Sequence, residues 1–113
     1  MCTKQELAEI MRQLMVSIES IFGDAVSEFI LFGSYARNEA DDTSDIDVMI
    51  LLDIPRDEIP AYRRKVAQVA SALLLEHDII VSPVLENRAF FERNRQLYPF
   101  FRNVDQEGVR YVA

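Results

Sequence analysis

The sequence predicts an α/β (α+β) domain in which helices flank a small mixed β-sheet, and three observations predict it. Residues 4–22 carry apolar side chains at three- and four-residue spacing, which marks one buried helix face. Two short apolar runs, 26–32 and 46–52, are compact and rich in β-branched or aromatic residues, as buried strands are. Further helical and strand-like segments then alternate to give the order α-β-α-β-α-β-α, which a mixed sheet covered by helices accommodates.

Thr3 opens the first element as a capping box, since Glu6 lies three residues on and can reach back to its N–H. Leu7, Ile10, Met11, Leu14, Ile18, Ile21 and Phe22 form the apolar face, and Gly23 suits the position just past the end. A strand over 26–32 ends at Gly33. Residues 34–39 suit a short helix and 40–44 a polar, acidic loop. The strand over 46–52 is continuously apolar after its acids, as expected where both faces of a sheet are covered.

Pro55 and Pro60 bracket a turn and a helix start. Tyr62, Val66, Val69, Ala70, Leu73 and Leu74 give that helix its core face, with Arg63, Arg64 and Lys65 on the solvated side. A third strand is expected over about 78–85, and Pro83 places it at a sheet edge or near a strand end. Asn87 caps a helix carrying Phe90, Phe91 and Leu97, which Pro99 should end. Residues 100–113 read as a tail with a short strand at 109–112. Phe90, Phe91, Phe100 and Phe101 could line a partner surface, although core packing is the plainer role for Phe90 and Phe100.

The chain has 113 residues, enough for one domain spanning 1–113 with a modest core. Half the residues are apolar and 27% are charged, a composition suited to a globular protein. Twelve basic against nineteen acidic residues give a formal net charge of −7. That balance argues against direct binding of nucleic acid, which relies on Lys and Arg displacing counterions from phosphates. It suits a protein that recruits cations or docks onto a basic partner. The single cysteine, Cys2, makes no internal disulfide, and no Cys/His spacing suggests zinc. The N-terminus lacks a signal-peptide pattern and no apolar run is long enough for a bilayer, so a cytoplasmic location without membrane contact is expected.

The chemistry is written between the first two strands: Gly33-Ser34, ten residues, then Asp45-Ile46-Asp47. A glycine after a strand permits a tight turn and a close backbone approach to a ligand. Ser34 adds a hydroxyl beside free N–H groups, an anion site in form, although an N-cap serine looks the same. Side chains alternate along a strand, so Asp45 and Asp47 project from one face while Ile46 turns to the other. Two such carboxylates suit a hard cation such as Mg²⁺, which takes one or two carboxylates plus substrate phosphates. An isolated acidic pair at a strand start is more often a solvated loop end; Gly33-Ser34 shifts that balance. Arg37 is left open between a phosphate contact and an ion pair with a loop acid such as Asp41.

The run GSYARNEADDTSDIDV resembles the signature of the DNA polymerase β-type nucleotidyltransferase superfamily, and most closely its minimal single-domain members, the MNT proteins. The similarity spans most of the chain, from the strand before Gly33 to Asp78, with a looser match in the tail. It implies the polymerase β-like nucleotidyltransferase fold, ATP as substrate, two Mg²⁺ ions and a third carboxylate on a neighbouring strand. By that resemblance Asp78, in EHDIIVSPVL, completes the metal set with Asp45 and Asp47 or acts as general base, with Glu76 its rival. Gly33, Ser34 and Arg37 would bind the nucleotide. Asn38 stands where family members often carry glycine, and asparagine tolerates positive φ.

Larger members of the superfamily hold the acceptor on a second domain, for which these residues leave little room. The acceptor, or the part that completes the site, is therefore expected on another protein or on a second copy of the chain. Minimal members resemble one half of two-gene modules whose other half is a helical HEPN protein, and there the MNT protein acts as antitoxin by transferring AMP to a tyrosine of the toxin. The resemblance implies that activity here. The other readings are a silent module that neutralises a partner by masking it, and transfer to a small molecule such as an aminoglycoside.

Overall fold

A computed structural model describes residues 2–112. Helix α1 runs over Lys4–Phe22, closed at its start by the full capping box between Thr3 and Glu6. A short 3₁₀ turn leads into β1 (Val26–Phe32), and a long loop then leads to β2 (Ile46–Leu52). A 3₁₀ segment at Arg56–Tyr62 precedes α2 (Arg63–His77). β3 (Val81–Asn87), α3 (Arg88–Asn94), α4 (Pro99–Glu107) and β4 (Val109–Val112) complete the chain. No described helix is long and apolar enough to cross a membrane.

The sheet is mixed, in the order β3-β2-β1-β4. β1 pairs antiparallel with both β2 and β4, whereas β2 pairs in parallel with β3. The parallel pair needs a crossover, and α2 supplies it. As expected from Pro83, β3 is an edge strand, where a residue that cannot donate to the ladder is tolerated.

β2 separates the two faces of the core. Ile46, Val48, Ile50 and Leu52 pack against α1 and α2 with Phe29 and Leu31 of β1. Met49 and Leu51 point the other way and meet Ile30, Phe91, Phe101 and Val104 under α3 and α4. These last helices have seven and nine residues, too short to be stable alone. Phe91 and Phe101 dock them, each contributing about 1.5–3 kcal/mol on burial.

Several expectations are corrected in the second half of the chain. Pro99 does not end a helix but occupies the first turn of α4, where its missing N–H costs nothing. α3 stops at Asn94, leaving Leu97 in the connection and 71% exposed. The aromatic phase is also shifted by one: Phe91 and Phe101 are buried, whereas Phe100 is 45% exposed and Phe90 is partly buried. On α2, Leu74 lies outside the core face that holds Val66 and Leu73.

Candidate active site

Gly33 leaves β1 at φ +75 and Asn38 lies at φ +60, two left-handed residues at either end of a tight turn. The backbone closes with the Arg37 N–H donating to Gly33 C=O at 3.1 Å and the Glu39 N–H to Ser34 C=O at 2.9 Å. The expected short helix is therefore a turn, because two chain reversals five residues apart leave no length for a helical repeat. The amides of Ser34, Tyr35 and Ala36 donate to no acceptor among the described residues. Asn38 does what its tolerance of positive φ predicts.

Beyond the turn, Asp41 organises the acidic loop. Its carboxylate accepts from the Thr43 N–H at 2.8 Å, the Thr43 hydroxyl at 2.7 Å and the Ser44 hydroxyl at 3.2 Å. These bonds, Thr43's first, hold the Asp41 carboxyl below the usual carboxylate range. The loop thus arrives at Asp45 already ordered.

Asp45 immediately precedes β2 and Asp47 is its second residue, so both project from the face of Met49 and Leu51. Asp47 stands between Phe32 on β1 and Ser82 on β3. The Ser82 hydroxyl donates to Asp45 Oδ2 at 3.4 Å. Gly33 lies directly against the second of these acids: a Cβ built on it would overlap the Asp47 carboxylate. The turn and the acids therefore form one site.

Burial pushes the Asp47 carboxyl above its ordinary value, and the charge of Asp45 adds to this, while Arg37 pulls it partly back. Two carboxylates on one face, one of them resisting ionisation, form an oxygen-only donor set that a hard divalent cation would neutralise. These residues fit such an ion. Among the described residues no group of three or more His, Cys, Asp or Glu side chains gathers into a larger cage.

Asp78 is not the opening residue of a strand. It caps α2 in the left-handed conformation, φ +55 and ψ +39, with its N–H on Leu74 C=O at 2.9 Å, and β3 begins three residues later. An aspartate in this conformation stops a helix, and the chain needs Ile79 and Ile80 to reach the sheet. Asp78 does share a cleft of about 550 Å³ with Asp42, Ser44, Asp45 and His77. His77, the last residue of α2, is tied to Gln13 Oε1 at 2.9 Å, and Glu76 before it is exposed.

Residues 8–112, nearly the whole chain, match the family model described as nucleotidyltransferase domain. The chain belongs to that family. Two relatives from Methanocaldococcus jannaschii, each named "Putative protein adenylyltransferase", support the assignment. One is 38% identical over 82 residues, covering 71% of this chain and 79% of its own; the other is 29% identical over 97 residues, covering 86% and 89%. Among solved structures, a crystal structure of a mutant toxin–antitoxin pair, MntA-HpeT, superposes with a TM-score of 0.59 at 19% identity, covering 94% of this chain and 73% of that one. At that identity the match speaks for the fold.

In the nucleotidyltransferase domain Arg37 takes the ion-pair alternative, with a neighbouring acid other than the one named. It pairs with Glu39 through Nε and with Glu107 through Nη1, each at 3.1 Å, and not with Asp41. Sequence reasoning missed Ser82 and Glu107. Ser82 follows from strand register, which depends on where β3 begins. Glu107 has no local signal, because its partners lie at the far end of the chain.

Proposed function

We propose that this nucleotidyltransferase domain transfers AMP from ATP to a hydroxyl of a partner protein, a tyrosine of a HEPN-type toxin encoded nearby, and so acts as an antitoxin. The observation that carries the reading is the packing of Gly33 against the Asp47 carboxylate, which joins the phosphate turn to the acid pair. The names of the relatives and the toxin–antitoxin structure support the protein acceptor and the partner class.

The open amides of Ser34, Tyr35 and Ala36 and the Ser34 hydroxyl receive the triphosphate. Arg37 adds a fixed positive charge at the far end of the turn. Asp45 and Asp47 hold the divalent cations, with Mg²⁺ the expected metal, and Ser82 orients Asp45 through its hydrogen bond. When bound, the cations would neutralise phosphate charge and favour attack by the acceptor oxygen on the α-phosphorus, its hydroxyl proton passing to solvent as pyrophosphate leaves. The protein contributes position and a partly buried setting in which these charges count for more than in water.

The test uses Mg²⁺, ATP labelled in the α-phosphate and the purified helical product of the neighbouring gene. Label should appear on that partner and disappear with Asp45→Ala or Asp47→Ala. A tight complex that takes no label, and that both variants form equally well, would replace the enzyme with a masking module.

Asp78 enters this reading as a contributor from the cleft wall. Asp78→Gly removes the carboxylate and supplies the residue that the left-handed position favours. Relief of the left-handed strain, offset in part by glycine's entropy, should stabilise the fold by up to about 1 kcal/mol and raise the melting temperature, while transfer falls less than about tenfold. A loss as large as that of Asp47→Ala would make Asp78 a full member of the metal set.

A further inference from the structure

Glu107 is the last residue of α4, and its side chain reaches back to the phosphate turn. A single oxygen, Oε1, accepts the Gly33 N–H at 3.2 Å and an Arg37 Nη1 hydrogen at 3.1 Å. These contacts cross 74 and 70 residues of sequence and join the first residue of the turn to the only Lys or Arg between Gly33 and Asp47. The Glu107 side chain is 27% exposed and that of Arg37 42%, so the bond to Gly33 is partly sheltered while the ion pair is open to solvent.

The chain leaves Glu107 little freedom to sit elsewhere. At Gly108 the backbone passes so close to the Ile30 side chain and the Val104 carbonyl that a Cβ would overlap both. The Gly108 N–H donates to Val104 C=O at 2.9 Å, and β4 begins at Val109, paired with Leu31. The end of α4 is thus held against β1 two residues before Gly33. Glu39 takes the Nε of Arg37 at 3.1 Å, so two carboxylates fix the guanidinium plane while Nη2 has no partner among the described residues.

We propose that Glu107 is a positioning residue for nucleotidyl transfer: its carboxylate locks the Gly33 amide and the Arg37 guanidinium into one arrangement, so that turn and cation meet the triphosphate together. The proposal rests on the nucleotide-binding reading given above. Pre-setting an arginine in this way lowers the ordering cost that a flexible side chain would meet on binding.

Calorimetric titration of the full chain with Mg·ATP tests it, using Glu107→Gln, Glu107→Ala, Arg37→Ala and the double variant Arg37→Ala/Glu107→Ala. Glu107→Ala should raise Kd about tenfold, as expected for loss of a charge-assisted hydrogen bond. Glu107→Gln keeps an oxygen acceptor and should lose less than about threefold. The double variant should lose less than the product of the two single losses, because the two residues share one contact while the Gly33 bond remains Glu107's own. Tighter binding by both Glu107 variants would overturn the proposal and make the carboxylate a competitor of the triphosphate. An unchanged Kd with a lowered melting temperature in Glu107→Ala would also overturn it, leaving a structural staple. Failure of the folded wild-type chain to bind Mg·ATP would instead remove the nucleotide-binding reading, and this proposal with it.

Discussion

Asp47→Ala and Asp45→Ala should each lower nucleotidyl transfer by about three orders of magnitude, the scale of losing a principal electrostatic group from a charge-stabilised transition state. Asp47→Asn should be as inactive, yet more stable than the wild type when both are metal-free. The cause lies in the position of Asp47, partly buried beside Asp45, where its carboxyl is pushed above its ordinary value first by burial and then by that neighbour. A carboxyl whose folded-state pKa exceeds its unfolded one binds protons more tightly in the folded protein. Its contribution to stability therefore falls as pH rises, starting from the unfolded value of about 3.9 and ending once pH has passed the raised folded value. At neutral pH the full penalty is present, and an amide removes it. Scanning calorimetry in EDTA should show a higher melting temperature for Asp47→Asn at pH 7, with the difference shrinking toward pH 4. Added Mg²⁺ and ATP should raise the wild-type midpoint by ligand linkage and leave that of Asp47→Asn nearly unmoved. A metal-free Asp47→Asn protein that melts below the wild type would show that Asp47 stabilises the fold and would remove the argument for a cation seat.

The first half of the fold is legible in the sequence because its signals are local. Thr3 and Glu6 fix the start of α1, Gly23 its end, and the apolar runs of β1 and β2 stop where glycine and aspartate interrupt them. The second half is harder, since single residues there carry two meanings. Pro99 can follow a helix or open one, and the distinction rests on Phe101 and Val104 reaching the core from the far side. Ile79 and Ile80 read as strand, but Asp78 in the left-handed conformation makes them the connection from α2. That displacement of β3 is what hid Ser82 beside Asp47. Within the candidate site, the glycine–serine turn and the two aspartates are visible because they lie fourteen residues apart or fewer on one hairpin. Glu107 belongs to the same site only through the return of β4 alongside β1, and such a long-range contact leaves no periodicity or spacing to read.

Gly33→Ala separates the two reasons a glycine can be required. Gly33 and Gly23 both have positive φ, +75 and +60, so alanine at either is strained by about 1–3 kcal/mol. Around Gly23 nothing lies within 4 Å of the added methyl, whereas at Gly33 the methyl falls on the Asp47 carboxylate. The atom met is Asp47 Oδ2, the tip of a side chain that stands between Phe32 and Ser82 in the strand register. Either the carboxylate leaves its place beside Asp45 or the turn lifts away from β2, and each outcome parts the phosphate seat from the cation seat. Displacement of about 1 Å in a positioned site costs on the order of 100-fold in rate. Both alanine variants should therefore lose similar stability in urea, while transfer survives in Gly23→Ala and drops by about two orders of magnitude or more in Gly33→Ala. Equal activity in the two variants would mean that the contact between Gly33 and Asp47 has no part in the chemistry, and that the turn and the acids work independently.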